Sequence, residues 1–324
     1  MQRFTLGTRG SELALFQAHS VAGLLRDRAG VACEIVVIRT SGDRLAEATL
    51  SEIGGKRLFV KEIEDALLSG QIDLAVHSSK DMPAALPEGL QLGAVLPRAD
   101  PRDAVVLPSG DDGPLTLDEI VNRLGRAPRI GTSSVRRSAQ LTRLFPGAHF
   151  LPVRGNLGTR LAKVDARHDY DALVLAAAGL ARLKHEGRIS ALLPVDACVP
   201  APGQGIIAVE VREGDERVLA PLATVTDAPA TAALTAERAV VTHLGGGCQM
   251  PIGAYAAIEN KSLTMTAIVI SVDGAQAVRA EALGRTADAH AIGIEAAEQL
   301  LARGAGEILA DVQRAHGAVE GLQP

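Results

Sequence analysis

The first two thirds of the chain alternate short β-branched and aliphatic runs with stretches of helical period, the pattern of an α/β protein whose strands are largely parallel. Arg3–Thr8 reads as a strand and Ser11 as the N-cap of a helix, with Leu13, Phe16, Val21, Leu24 and Leu25 at mostly helical spacing. Glu34–Arg39 and Ile72–His77 predict the next strands, with the helical stretch Val60–Leu68 between them. A polar turn, Asp100–Asp103, leads into a strand at Ala104–Leu107, and the loop Pro108–Pro114 into a helix opened by the capping box Thr116-x-x-Glu119. Strand, turn and helix repeat around Ile130, Leu151–Val153 and Ala172–Leu175. Pro200-Ala-Pro-Gly-Gln-Gly205 then punctuates the chain before the apolar strand Ile206–Val211, as at a crossing between domains. Beyond Pro221 come a helix (Ala232–Leu244), a Gly-rich loop, two or three strands and a closing helix (Ala289–Ala310), together a small α+β unit.

A length of 324 residues predicts two or three domains, and 47% hydrophobic with 22% charged residues supports a packed core. Aromatics are only 2%, so that core must be aliphatic, and base stacking on single-stranded nucleic acid has little to work with. The formal net charge of −5 gives no basic footprint for a phosphate backbone, so any anion site must be a local concentration of Lys and Arg. Cys33, Cys198 and Cys248 are too few and too scattered for a disulfide framework or a zinc site. The start lacks the apolar stretch of a signal peptide, and the longest nearly apolar run, Leu173 to Ala181, falls far short of the roughly 18 residues of a membrane span. These features predict a cytoplasmic protein with no membrane or nucleic-acid partner and no metal, and the absence of heptads predicts a monomer.

Hydroxyls and cations gather after the predicted strands, where open α/β sheets bind ligands. They form four groups: Thr8-Arg9-Gly10-Ser11, Ser78-Ser79-Lys80-Asp81, Thr132-Ser133-Ser134-Val135-Arg136-Arg137, and Arg154 to Arg160. Arg136, Arg137 and Arg160 fall in first helical turns, where a cation opposes the macrodipole at roughly 0.3–1 kcal/mol each. An anion seated between dipole and guanidinium offsets that cost. Taken singly, each Arg is equally well explained by a surface ion pair; four groups at one topological position point to a ligand with several carboxylates or phosphates. Asp81 reads either as a partner of Lys80 or a turn cap before Pro83, or as a group that stabilises a cation or moves a proton. Cys248 follows Gly245-Gly246-Gly247, which lets the backbone bring its thiol close to another group. Cys33 and Cys198 read as small buried hydrophobes. A small-anion binding protein and a Cys-dependent acyltransferase compete with an attachment role for Cys248; the first needs no such cysteine or third domain, and the second lacks an identifiable His partner.

Taken together, these segments resemble the porphobilinogen deaminases, also called hydroxymethylbilane synthases. The match is carried by Gly7–Leu15, Gly54–Glu62, Val76–Pro83, Asp100–Ala104, Gly131–Arg137, Arg154–Arg160, Pro202–Gly205 and Gly246–Pro251, in family order over nearly the whole chain. The resemblance implies two lobes like those of a periplasmic binding protein with a cleft between them, plus a small C-terminal α+β domain. Residues 1–102 with 199–217 would form the first lobe, 103–198 the second, and 218–324 the domain presenting the cysteine. It implies a transferase that condenses four porphobilinogen molecules head to tail with loss of four ammonia, after which hydrolysis releases linear hydroxymethylbilane. The chain is built on a dipyrromethane cofactor held by a thioether, whose matching attachment residue is Cys248. Asp81 would be catalytic, stabilising the azafulvenium-like cation left by ammonia loss. Lys80, Thr132, Ser133, Ser134, Arg136, Arg137, Arg154 and Arg160 would hold the cofactor, with Asp81 facing its pyrrole N–H groups. Arg9, Ser11, Ser78, Arg182, Gln204, Lys56 and Phe59, again with Arg154 and Arg160, would take the acetate and propionate groups of the substrate. Ser41–Lys56 matches a segment over the family's cleft, here with Arg57 where Gly is common and Glu52 where some members have Lys.

Overall fold

The computed structural model describes residues 2–41, 60–110, 113–166, 169–246 and 250–320. Cys248, Lys56, Phe59, and all of Ser41–Lys56 beyond Ser41 itself, lie outside the described residues. The chain opens with β1 (Arg3–Thr8), the helix Glu12–Ala29, β2 (Ala32–Val37), the helix Lys61–Leu68, β3 (Leu74–Ser78) and β4 (Leu90–Val95). It crosses to β5 (Asp103–Val106), β6 (Arg129–Gly131), β7 (His149–Leu151), β8 (Ala172–Ala176) and β9 (Ala191–Leu192), with helices Leu117–Leu124, Val135–Leu141, Leu157–Asp165 and Ala177–Arg182 among them. It then returns through β10 (Ile207–Arg212) and the helix Glu216–Ala223. The C-terminal part is the helix Ala228–His243, strands β11 (Ile252–Glu259), β12 (Ser262–Ile270) and β13 (Ala277–Arg285), and the helices Ala289–Ala302 and Ala305–Glu320.

Among the described residues the strands form three sheets, ordered β2-β1-β3-β10-β4, β7-β6-β8-β5-β9 and β11-β12-β13. The two five-stranded sheets share one topology. Three strands run parallel, and the next is antiparallel to both its neighbours. In each case the reversed strand, β5 or β10, is the one that follows a crossing between the lobes. The crossings lie side by side: Leu96 N–H donates to Ile207 O and Ala99 N–H to Gly205 O, both at 3.0 Å.

Sheets covered on both faces need side chains for both sides, which is why their strands read as continuous apolar runs. In the second lobe Val105 and Val174 pack on one face with Ile130 and Leu141, while Val106, Leu173 and Leu175 pack on the other with Leu180. The apolar run from Leu173 is therefore a central strand leading into a helix. In the first lobe Leu6, Leu74 and Val209 pack against Ala18, Val21 and Leu25, and Val218 and Leu222 of the helix after β10 join the same core. The C-terminal core is rich in fully buried alanine (Ala236, Ala254, Ala267, Ala296, Ala297), so small side chains replace the missing aromatics.

Local signals worked as expected at several helix starts. Ser11 accepts from Ala14 N–H, and the Thr116/Glu119 capping box is complete. One strand goes beyond the expectations and one helix corrects them. β4, Leu90-Gln-Leu-Gly-Ala-Val95, was not anticipated. The closing helix Ala289–Ala310 is two helices, broken where Gly304 takes φ = +95°, a conformation that a side chain resists. Among the described residues no helix is long and apolar enough to cross a membrane, and no group of three or more His, Cys, Asp or Glu is placed to hold a metal ion.

Candidate active site

The predicted cationic segments occupy one topological position. Arg9 and Ser11 follow β1, Ser78 to Asp81 close β3, Thr132 to Arg137 follow β6 and Arg154 follows β7, all at carboxyl ends of parallel strands, while Arg182 stands at the far end of the helix after β8. At the centre, beside the two crossings, stands a carboxylate with no role in the sequence-based assignment. Asp103, the first residue of β5, is fully buried. Its Oδ2 accepts from Arg136 Nη2 (2.8 Å), and its Oδ1 from Arg137 Nε and Gln204 Nε2 (both 2.9 Å). Burial by itself would raise this carboxyl; Arg136, Arg137 and their hydrogen bonds, with that of Gln204, outweigh it and hold Asp103 well below the usual carboxylate range.

Arg136 and Arg137 are thus both buried, and the ion pair that would explain either one as structural is present. One carboxylate shared by two guanidinium groups nevertheless leaves net positive charge. Lys80 adds to it: its Nζ donates to Gln204 Oε1 (3.3 Å), and burial, with Arg137 nearby, lowers its ammonium to about 8. Burial and Arg137 likewise lower Arg160, while Asp81 opposes that shift. Burial lowers Arg182 to about 10, and its Nη2 donates to Gly205 O (2.7 Å) on the returning crossing. The exposed Asp81 ends a short 3-10 turn after β3, with its field acting on both Lys80 and Arg160.

The hydroxyls shape the loops. Ser134 caps its helix by accepting from Arg137 N–H, Thr132 Oγ1 accepts from Ser134 N–H, and Ser133 Oγ donates to Val153 O (2.8 Å) while accepting from Val153 N–H (3.1 Å). Ser78 is bonded to the buried Gln17 of the first helix (2.8 Å), a residue that sequence reasoning missed. Arg9, Ser11 and Arg154 are half-buried. Cys198 is buried, and its thiol lies 3.4 Å from both Arg136 Nη1 and Asp103 Oδ2; burial, then Asp103, push it up to about 12.

A second buried carboxylate ties the C-terminal domain to this centre. Glu237 accepts from Arg98 Nη1 on the outward crossing, from Gly203 N–H on the returning one (2.6 Å) and from Ala256 N–H of β11 (2.8 Å). Arg98 also donates from Nε to Gln204 O (2.9 Å) and lies over the Tyr255 ring (4.9 Å). Gln204 therefore links both lobes and, through Arg98, the third domain. Where these parts meet, a small cavity of about 90 Å³ is bordered by Ser79, Lys80, Ser134, Arg136 and Met250. Among the described residues, Ser79 Oγ and Arg136 Nε are buried without a hydrogen-bond partner. Such a donor set fits a group bearing several carboxylates.

Replacing Asp103 by alanine will cost about 3–5 kcal/mol of folding stability, because it leaves two guanidinium groups buried without a counter-charge. A denaturant titration checks this, and a loss below about 1 kcal/mol, the range of an exposed pair, would contradict the arrangement. The depressed Asp103 contributes its stability above the ordinary carboxylate pKa of about 3.9 and loses it only as pH falls through its lower folded value.

Residues 4–220 match the porphobilinogen deaminase dipyromethane cofactor binding domain, and residues 231–302 match the porphobilinogen deaminase C-terminal domain. The chain is 46% identical over 322 residues to the porphobilinogen deaminase of Moorella thermoacetica, covering 99% of this chain and 100% of that one. It is 48% identical over 316 residues to that of Brevibacillus brevis, covering 97% and 99%. Among solved structures, substrate binding domain 2 of Lactococcus lactis GlnP aligns with 68% of this chain and 87% of its own, at 11% identity and a TM-score of 0.42. With both family domains matched in order and near-half identity over almost its full length, the chain belongs to the porphobilinogen deaminase family.

Proposed function

We propose that this protein is a hydroxymethylbilane synthase that assembles four porphobilinogen units in a cleft beside Asp103. The observation that carries this assignment, beside family membership, is the cleft's excess of buried cation over carboxylate. Each pyrrole brings an acetate and a propionate, so an oligomer accumulates negative charge as it grows, and such a site suits it. The dipyrromethane group, when bound through Cys248, supplies the terminal pyrrole α-carbon on which elongation begins. Arg136, with Lys80, Arg137 and Ser134, would hold its carboxylates, and Thr132, Ser133, Arg154 and Arg160 would complete the cradle. Arg9, Ser11, Ser78 and Arg182 would orient the incoming porphobilinogen, with Lys56 and Phe59 as further contacts, while the fully buried Gln204, its amide bonded to Pro101 O, Asp103 and Lys80, would serve the substrate by holding Lys80. At each step the aminomethyl carbon loses ammonia and bonds to the free α-carbon, which gives up its proton. Asp81 would stabilise the pyrrole cation between those events and carry the proton.

The proposed division into residues 1–102 with 199–217, 103–198 and 218–324 is supported by β10 lying in the first sheet. The helix Glu216–Ala223 straddles the last boundary and keeps Val218 and Leu222 in the first core. The chain is further proposed to work as a cytoplasmic monomer, and sedimentation at working concentration tests the monomer.

Incubation with porphobilinogen tests the function: four ammonia should be released for each linear tetrapyrrole. Absence of both ammonia and any covalent adduct would move the cleft to the class of small-anion binding proteins. A pH dependence follows from Lys80. As pH rises through about 8 its ammonium loses charge, so carboxylate binding weakens and kcat/KM falls. Because guanidinium stays protonated, Lys80→Arg should remove that alkaline limb. A flat profile between about pH 7 and 9 in the unaltered enzyme would show that Lys80 does not serve this purpose.

A further inference from the structure

A cavity of about 520 Å³ lies outside the cleft, between β4 and the helices Ala228–His243 and Ala289–Ala302. It therefore sits on the junction of the first lobe with the C-terminal domain, and it has the volume of a small-ligand site. One part of its wall is aliphatic, with Leu92, Val95, Leu234 and Ile294. Arg238, His243 and His290 line it as well. Among the described lining residues there is no carboxylate. Thr231 and Thr235, also on the wall, donate their hydroxyls to carbonyls of their own helix, so they do not supply the polar end. Aliphatic lining together with a guanidinium and two histidines, and no carboxylate among the described lining residues, fits a ligand with an apolar body and an anionic head.

The cavity is also connected to the chemistry. Arg238, Ala84 and Leu234 line both it and the small cavity that holds Lys80 and Arg136, so they form a shared partition. Arg238 Nη2 donates to Ala84 O at 2.7 Å, and Ala84 lies three residues beyond Asp81, after the buried Met82. A carboxylate that draws the guanidinium towards itself competes with that bond and loosens the segment presenting Lys80 and Asp81.

We propose that this cavity is an effector site for a small amphipathic carboxylate, whose head meets Arg238, His243 and His290 and whose occupancy slows turnover by drawing Arg238 away from Ala84. The binding site stands on its own geometry, while the effect on turnover rests on the deaminase assignment. Phenylacetate is a suitable probe, with phenylacetamide as its uncharged counterpart, each titrated into the holoenzyme by NMR or equilibrium dialysis. Phenylacetate should bind saturably and at least about tenfold more tightly than the amide, because only the acid pairs with the guanidinium. Arg238→Gln should remove that preference. His243→Ala combined with His290→Ala, at exposed positions that do not threaten the fold, should weaken the acid at least about threefold, the loss of two neutral or charged donors. Phenylacetate should lower kcat and leave the KM for porphobilinogen unchanged. No saturation by about 10 mM, or equal binding of acid and amide, would overturn the site. Inhibition that raises KM alone and persists in both variants would place the probe in the cleft and also overturn it. Saturable, charge-selective binding in a preparation with no deaminase activity would retain the site and reject only its coupling to that reaction.

Discussion

Cys248→Ser will give a folded chain whose mass after denaturation equals that of its sequence, whereas the unaltered chain will exceed its sequence mass by two linked pyrrole units. Turnover of the variant should fall to background, the largest effect expected of any single change. A thiolate is the attacking species in forming the thioether, and a serine hydroxyl does not ionise usefully at neutral pH. Selectivity among the thiols follows from their surroundings. Burial, then the nearby Asp73, push Cys33 up to about 11, and Cys198 stands at about 12, so neither is a thiolate at neutral pH. The chain flanking Cys248 is anchored on both sides. Gly246 N–H donates to Val241 O (3.0 Å), and Met250 borders the small cavity beside Lys80, Ser134 and Arg136. Intact mass spectrometry decides the matter, with Cys33→Ser as the control that should keep the added mass. An adduct retained in Cys248→Ser would move the attachment elsewhere.

What could be read in advance depended on how local the signal was. Ser11 and Thr116 act on backbone groups three residues away, so each cap is written in its own segment. The placement of cations after strands was legible for the same reason, since strand period and hydroxyl-rich turns are both short-range. The partners of those cations were not. Asp103 meets Arg136 and Arg137 from 33 and 34 residues away, and Glu237 meets Arg98 across 139. Before the fold is known, nothing distinguishes such carboxylates from surface ones. Asp103 occurred in a recognisable polar turn, which was a hint of position without a hint of role. Gln204 was identified through family resemblance, yet its linkage of Lys80, Asp103, Arg137 and Arg98 emerges only when the two crossings are brought side by side. β4 escaped because Gln91 and Gly93 interrupt its apolar run, although Leu90 and Val95 are buried.

Asp81→Ala should keep the two-pyrrole mass and lose roughly 10²- to 10⁴-fold in turnover, the range for removal of a group that transfers protons in the transition state. The turn Ser79–Asp81 separates two adjacent charges: Lys80 reaches back to the buried Gln204, while Asp81 is exposed. A lone exposed acid among Lys80, Arg137 and Arg160 is poorly suited to bind a polycarboxylate, since it repels the ligand's own acids. It is well suited to the pyrrole nitrogen, which becomes positive when the aminomethyl group leaves as ammonia, and to the α-carbon proton that must then depart. A merely structural Asp81, pairing with Arg160 or capping the turn before Met82 and Pro83, makes a different prediction. In that case Asp81→Asn, which keeps size and hydrogen-bonding oxygen, would restore most of the rate. If the carboxylate handles charge and protons, asparagine fails as alanine does, while the mass of the attached primer stays unchanged in both. Single-turnover measurement of ammonia release separates the two, and a rate within about tenfold of normal for Asp81→Asn would remove Asp81 from the chemistry.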